Sequence, residues 1–235
     1  RLGPGSEEYT LLAARLAGLT GRTDLRIADL GCGTGASALV LARHLGARVT
    51  AVDQFASFAD EVARRAAEAG VADLVTPVVA SMAAPPFEAE SLDAIWSEGA
   101  IYNLGFEAGL AAWRPFLKVG GVIAVSEITW LSARRPAALQ AFWEAEYAEI
   151  DVASAKLAAL ERQGYEPVGY FLLPPQCWHD YYAPLAARLP SFLAEQGHSD
   201  EARALASATE EETALYEANQ AYFSYGFYIA RRSGG

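Results

Sequence analysis

Residues 26–42 of the chain are RIADLGCGTGASALVLA. The short apolar run at the start of this stretch predicts a buried strand, and the apolar residues at its end recur with helical spacing. Between them lie three glycines, Gly31, Gly33 and Gly35. Glycines let the backbone approach a ligand closely, and the N-terminus of the following helix offers free N–H groups to it. The stretch therefore predicts a ligand-binding strand–turn–helix at the start of an α/β sheet.

The glycine spacing by itself permits more than one ligand. The pattern Gly31-x-Gly33-x-x-Ala36 fits the loose dinucleotide fingerprint. Asp29 argues against that interpretation, because dinucleotide-binding strands are usually apolar at this point. The run 29–35, DLGCGTG, closely resembles the first motif of the Rossmann-like, class I S-adenosylmethionine-dependent methyltransferases. We favour a methyltransferase cofactor site over a dinucleotide site, and we favour either of these sites over a glycine turn that binds no ligand.

The resemblance extends well over residues 24–130 and loosely beyond them. It implies an α/β fold with a doubly wound, seven-stranded, mostly parallel sheet between two helical layers, with an antiparallel last strand beside the fifth. We expect one domain over residues 1–235, with a helical cover at 1–22 and a helical insertion or lid at 176–221. The segment WSEGAIYNLGFE, residues 96–107, is also similar to a bacterial subgroup that methylates small molecules.

Composition restricts the partners. The 235 residues carry a net charge of −11, and this surface repels the phosphates of nucleic acids. No apolar run approaches the roughly 20 residues that span a bilayer. The chain begins at Arg1 without Met, so the lack of a recognisable targeting signal is weak evidence. Two cysteines do not form a disulfide scaffold, and we expect a cytoplasmic monomer or homodimer without nucleic-acid or membrane partners.

The resemblance implies S-adenosyl-L-methionine as cofactor and S-adenosyl-L-homocysteine as product. Asp53 ends the second predicted strand, where the family places the acid that accepts both ribose hydroxyls. The alternative is that Asp53 caps the helix predicted over 57–69. Ser81 stands where relatives usually carry an acid that holds the adenine amino group, and its hydroxyl accepts more weakly. The full predicted cofactor set is Asp29, Gly31, Cys32, Gly33, Gly35, Asp53, Gln54, Ser81, Met82 and Ser97.

A polar cluster follows the fourth predicted strand. Glu98, Tyr102 and Asn103 leave an apolar strand at the edge where doubly wound sheets bind ligands, which favours a substrate-facing loop over a structural one. Glu127 ends the fifth predicted strand and is followed by Trp130, so we expect both glutamates at one rim of the sheet. An acid paired with Arg134 or Arg135 is an equally good interpretation of Glu127.

Three aromatic residues and a histidine outside the strands are further candidates. The leading helix of such methyltransferases often covers the cofactor, so Tyr9 either faces the sulfonium or is an ordinary packed tyrosine. Trp178 and Tyr182 predict an aromatic wall over the substrate pocket. His179 lies between them, and a surface or capping histidine is favoured over a catalytic base.

The resemblance implies methyl transfer by in-line displacement from a sulfonium, whose leaving group is neutral and needs no acid. A base is required only when the acceptor must lose a proton, and Glu98, Glu127 and His179 are the candidates. Two glutamates at one rim would favour an amine-bearing acceptor, with cation–π support from the aromatic residues. No metal-ligand spacing stands out, so no metal is predicted.

Two other functions compete with methyl transfer. A nicotinamide-linked oxidoreductase is disfavoured because no lysine follows a tyrosine by four residues. A non-catalytic nucleotide-binding module is disfavoured because Asp53 and the three glycines are all present.

Overall fold

The structure is a computed structural model that describes residues 1–234. In chain order, the helices and strands are α1 (Glu7–Leu16), β1 (Arg26–Leu30), α2 (Ala36–Leu45), β2 (Arg48–Asp53), α3 (Ala56–Glu68), β3 (Val75–Val79), β4 (Leu92–Glu98), α4 (Phe106–Trp113), β5 (Leu117–Trp130), α5 (Ala137–Glu146), β6 (Asp151–Val152), α6 (Ala153–Arg162), β7 (Tyr165–Leu172), α7 (Pro175–Glu195), α8 (Asp200–Asn219) and β8 (Phe223–Arg232). Within these residues, helices and strands alternate from α1 to β3, β4 follows β3 directly, and the two longest helices lie shortly before the final strand.

All the strands belong to one mixed sheet with the order β3-β2-β1-β4-β5-β8-β7. Strands β1 to β5 are parallel to one another, whereas β8 runs antiparallel between β5 and β7. The predicted α/β class and the antiparallel last strand beside the fifth are confirmed. The chain crosses from β3 to the far side of β1 before β4, so the strand order reverses there. A doubly wound sheet opens a crevice at such a reversal, at the carboxyl ends of the strands.

The central strands are buried on both faces, which places helices on both sides. In β4, Trp96 packs in the core beneath α1 and α2, and the adjacent Ile95 packs in the core beneath α4 and α6. Neighbouring residues of a strand point to opposite faces, so each central strand contributes to both cores. This arrangement confirms the three-layer architecture.

Two strand assignments differ from the sequence-based expectation. Residues 118–121, predicted as a turn before the fifth strand, are included in β5 as an irregularity: Leu92 pairs with Leu117, and Ala94 pairs with Val122. The extra residues bulge around Asp93, which accepts hydrogen bonds from the Arg26 backbone N–H and the Lys118 ammonium group at 3.0 Å each. The two-residue strand β6 pairs with the end of β5 and adds an eighth strand to the predicted seven.

The segment before the last strand is helical, as predicted for the insertion. It consists of α7 and α8, and α7 contains Pro184 and Pro190 within its length. Among residues 1–234, no helix has both the length and the apolar character needed to cross a bilayer.

Candidate functional site

A cavity of about 530 Å³ lies at the reversal of strand order. Its walls come from the glycine turn after β1, the tip of β2, the loops after β3 and β4, and the N-terminal segment, residues 1–4. Parallel strands end at one edge of the sheet, which is why segments far apart in sequence meet here.

The glycine turn requires backbone conformations that other residues rarely adopt. Gly31 has a φ of +69°, and a Cβ atom there would lie 2.5 Å from the Cβ of Ala100. Gly35 has a φ of +78° and is the N-cap of α2, without a side-chain hydrogen bond to the helix. Gly35 therefore does not cap the first N–H groups of α2. Gly31, which has no Cβ atom, allows the turn to lie against the loop that follows β4.

Asp53 joins the tip of β2 to this turn. Its Oδ2 accepts the Gly33 N–H at 2.9 Å, and its Oδ1 accepts the Phe55 N–H at 3.2 Å. Helix α3 begins at Ala56 with Phe55 as its N-cap, so Asp53 is not the N-cap residue. The carboxylate instead lines the cavity, in the position that the sequence predicts for the ribose acid.

The residues predicted around the adenine also line the cavity. Gln54, Ser81 and Met82 all contribute to its wall, although the Ser81 hydroxyl already accepts the Ala83 N–H at 3.2 Å. The sequence analysis missed two phenylalanines of the same wall. They are Phe55 and Phe58, whose rings meet edge to face with centroids 5.4 Å apart. Their signal was their position two and five residues after the predicted ribose acid.

Two predicted cofactor residues lie behind the wall rather than in it. Asp29 is completely buried, and its Oδ2 accepts the Ser37 hydroxyl of α2 at 2.6 Å. Burial raises the pKa of Asp29 to about 7. Ser97 is also fully buried, and neither it nor Asp29 lines the cavity. Cys32, by contrast, lines the cavity, and burial raises the pKa of its thiol.

Glu98 stands at the tip of β4 and is surrounded by donors. Its Oε1 accepts the Thr10 hydroxyl at 2.7 Å and the Trp96 indole N–H at 2.8 Å. Its Oε2 pairs with the guanidinium group of Arg1, which also donates to Thr10 Oγ1 at 2.7 Å. Arg1 and Thr10 were not predicted, and no local pattern marks contacts that span 97 and 88 positions. Tyr102 and Asn103, which the sequence analysis assigns to a substrate-facing loop, also line the cavity.

Glu127 does not lie beside Glu98, and the expectation of two glutamates acting together is wrong. Glu98 pairs with Ser126 across the sheet, so their side chains share a face and Glu127 points to the other. Glu127 is fully buried, with its Oε1 3.4 Å from the Lys156 ammonium group rather than near Arg134 or Arg135. Burial raises the pKa of Glu127 to about 6. It does not line the cavity.

The aromatic residues predicted as a pocket wall form a separate core instead. Trp178 stacks on Tyr216 of α8 with centroids 4.2 Å apart, and its indole N–H donates to the Ser224 hydroxyl at 2.9 Å. Tyr182 and Trp130 belong to the same buried cluster, which attaches α7 and α8 to β5 and β8. None of these three predicted residues lines the cavity.

The remaining predicted residues also lie outside the cavity. His179 is on the exposed side of α7. Tyr9 is half-buried and packs against Phe171, with ring centroids 5.9 Å apart. The structure thus assembles the predicted turn, Asp53 and the loop of Glu98 in one cavity, whereas Glu127, His179, Tyr9, Trp130, Trp178 and Tyr182 are elsewhere.

Comparison with known proteins gives an independent finding for this region. Residues 27–121 match the family model described as a methyltransferase domain. A geranyl diphosphate 2-C-methyltransferase of Streptomyces coelicolor is 34% identical over 98 residues, which cover 42% of this chain and 34% of that protein. The chain thus spans about a third of the length of the curated relatives that it matches.

Solved structures are similar over nearly the whole chain. One is a SAM-dependent methyltransferase of Thiobacillus denitrificans in complex with S-adenosyl-L-homocysteine. It has a TM-score of 0.85 and 23% identity, and the match covers 98% of this chain and 93% of that one. A SAM-dependent methyltransferase of Geobacter sulfurreducens in the same complex has a TM-score of 0.86 and 22% identity, with 98% and 92% covered. These similarities show the fold.

Proposed function

Starting from residues 27–121 as a methyltransferase domain of the Rossmann-like class, we propose that this protein transfers a methyl group from S-adenosyl-L-methionine to a small molecule. The observation that carries the proposal is the contact between the Gly33 N–H and Asp53 Oδ2, 2.9 Å long. It joins the glycine turn and a carboxylate at the tip of the neighbouring strand in one cavity. An adenosyl ligand with an amino-acid end needs both features.

Each part of the cavity suits one part of this cofactor. Asp53 would accept the two ribose hydroxyls, and Met82 and Phe55 offer apolar surface to the adenine. The glycine turn and the N-terminus of α2 would hold the carboxylate of the amino-acid end. Gly31 supports this assignment, because a side chain in its place would collide with the loop after β4.

Charge favours this cofactor over a dinucleotide. Of the side chains that line the cavity within residues 1–234, Arg1 is the one cation, and it is paired with Glu98. A dinucleotide carries a pyrophosphate with two negative charges, and among the described residues no unpaired cationic side chain lines the cavity to compensate them. S-adenosyl-L-methionine carries an ammonium and a sulfonium group against one carboxylate, so its net positive charge suits a cavity lined by Asp53, Glu98 and the single cation Arg1.

The cofactor supplies, when bound, a methyl group on a positively charged sulfur. The protein's contribution is to hold the acceptor in line with that group, and correct orientation accelerates such a reaction by several orders of magnitude. We assign acceptor contacts to Tyr102 and Asn103, which line the cavity beyond Glu98. Glu98 is the one predicted base candidate that lines the cavity, so it is our choice when the acceptor must lose a proton.

The proposal includes a metal-free reaction in the cytoplasm. A neutral sulfur leaving group needs no Lewis acid, and among residues 1–234 no three potential metal-ligating side chains form a cluster. Cys32 and Cys177 are both free thiols, which suits a reducing compartment.

Calorimetry with S-adenosyl-L-homocysteine, NAD and NADP tests the cofactor assignment. We expect binding of S-adenosyl-L-homocysteine alone, and transfer of a labelled methyl group to an amine, phenol or thiol among a panel of small acceptors. Binding of NAD or NADP alone would support an oxidoreductase. Binding of none of the three would support the non-catalytic module.

A further inference from the structure

We propose that Glu98, Thr10 and Trp96 form a binding subsite for the ammonium group of a ligand, and that the guanidinium group of Arg1 competes with the ligand for this subsite. We call these three residues the ammonium subsite. The inference rests on the proposed function, because the ligand that it concerns is either the methyl donor or the methyl acceptor.

The two oxygens of Glu98 have different surroundings. Oε1 receives two neutral donors, the Thr10 hydroxyl at 2.7 Å and the Trp96 indole N–H at 2.8 Å. These donors fix the carboxylate in place but leave its charge uncompensated. Oε2 pairs with the guanidinium group of Arg1. The Glu98 carboxylate is thus oriented through Oε1 and binds a cation through Oε2. Such an arrangement can bind an ammonium group.

The burial of Glu98 strengthens the electrostatic attraction between its carboxylate and a cation. Its side chain is 9% exposed, and it lines the cavity that holds the glycine turn and Asp53. Screening by water and salt is weaker at such a position than at the surface. Asp29, completely buried, is near enough for the charge of Glu98 to contribute to the raised pKa of its carboxyl group.

Arg1 belongs to the N-terminal segment that forms part of the cavity wall. Residues 1–4 line the cavity, and the Leu2 side chain lies against the glycine turn, 2.9 Å from where a Cβ atom of Gly33 would be. A ligand cation that binds Glu98 must displace the guanidinium group. The measured affinity of that ligand is then lowered by the competition, so removal of the Arg1 charge should raise it.

Two ligand groups have the chemistry of the subsite: the α-ammonium group of the cofactor and the amine of an acceptor. Isothermal titration distinguishes them with matched pairs. S-adenosyl-L-homocysteine carries the ammonium group, and 5′-S-(3-carboxypropyl)-5′-thioadenosine shares its adenosine, sulfur and carboxylate but lacks it. Tyramine and 4-ethylphenol form the corresponding acceptor pair, titrated into protein saturated with S-adenosyl-L-homocysteine.

The variants are Glu98→Gln and Arg1→Gln, with Glu107→Gln as the control. In Glu98→Gln the carboxamide oxygen would still accept from Thr10 and Trp96, so this variant should fold, which thermal denaturation checks. Glu107 forms an ion pair with Arg162 outside the cavity. We expect Glu98→Gln to weaken binding of the ammonium-bearing member of one pair at least about tenfold. Arg1→Gln should strengthen the same binding. Neither variant should strengthen or weaken binding of the member without an ammonium group to the same extent, and the control should change neither member.

The pair whose binding changes in Glu98→Gln and Arg1→Gln shows which ligand supplies the ammonium group. A response of the nucleoside pair assigns the subsite to the cofactor, and a response of the amine pair assigns it to the acceptor. Wild-type protein that binds S-adenosyl-L-homocysteine, with neither pair responding to Glu98→Gln and Arg1→Gln, would overturn the subsite and leave the proposed function standing. Wild-type protein that does not bind S-adenosyl-L-homocysteine would overturn the proposed function first.

Discussion

Replacement of Asp53 by alanine should remove most of the affinity for S-adenosyl-L-homocysteine. The carboxylate lies at the tip of β2 and lines the cavity. It is held by the N–H groups of Gly33 at 2.9 Å and Phe55 at 3.2 Å, so it is oriented before any ligand binds. A preorganised acceptor loses little entropy when it binds the ribose, and its removal therefore costs nearly the full interaction.

The size of the loss follows from the two hydroxyls of the ribose. A hydrogen bond to a charged group contributes about 1.5–3 kcal/mol, so the loss of two amounts to about 3–6 kcal/mol. Each 1.4 kcal/mol is about a tenfold change in the dissociation constant, so Asp53→Ala should weaken binding by roughly a hundredfold to ten-thousandfold. Asp53→Asn keeps one neutral acceptor and should fall between wild type and Asp53→Ala.

Titration calorimetry measures both variants, and the exposed Asp60 of α3 provides the control. Asp60→Asn removes the same charge a short distance along the chain and should leave the affinity unchanged. Thermal denaturation separates ligand binding from damage to the turn that Asp53 holds. Wild-type affinity in a folded Asp53→Ala protein would refute the assignment of this carboxylate to the ribose.

Four further expectations concern the turn and the buried groups. Gly31→Ala places a Cβ at a φ of +69° and should cost about 1–2 kcal/mol in backbone strain alone, so calorimetry should show weaker cofactor binding and a lower melting temperature. Trp178→Ala should reduce the free energy of unfolding in urea by about 3–5 kcal/mol without changing cofactor affinity; a large loss of affinity would show that its cluster reaches the cavity. Asp29 has a folded-state pKa of about 7, above the unfolded value, so its contribution to stability is complete at low pH and is lost as pH rises from about 4 to 7. Urea unfolding across this range should show that the free energy of unfolding depends less on pH in Asp29→Asn than in the wild type. The same pH dependence in both proteins would contradict the raised pKa of Asp29. Lys156→Met leaves Glu127 buried without its cation and should destabilise the fold by about 3–5 kcal/mol, with recovery when Glu127→Gln is added; urea unfolding of the single and double variants measures both effects.

The sequence by itself determined the local backbone of the site. The strand, the three-glycine turn and helix α2 follow from hydrophobic spacing and from conformations that only glycine adopts readily, and these signals lie within residues 26–42. Asp53 was also predictable, because parallel strands of a doubly wound sheet end at one edge and an acid at a strand end must lie there. The order of the strands was implied only by the family resemblance.

The tertiary structure decided which side chains meet. Glu98 ends β4 and Glu127 lies three residues before the end of β5, yet their side chains point to opposite faces of the sheet, because the pairing register aligns Glu98 with Ser126. A shift of one residue would exchange the faces, and sequence spacing does not specify that register. The partners of these acids, Arg1 and Lys156, come from segments 97 and 29 positions away. Spacing along the chain encodes helices, strands and turns, whereas contacts between distant side chains depend on how those elements pack against one another.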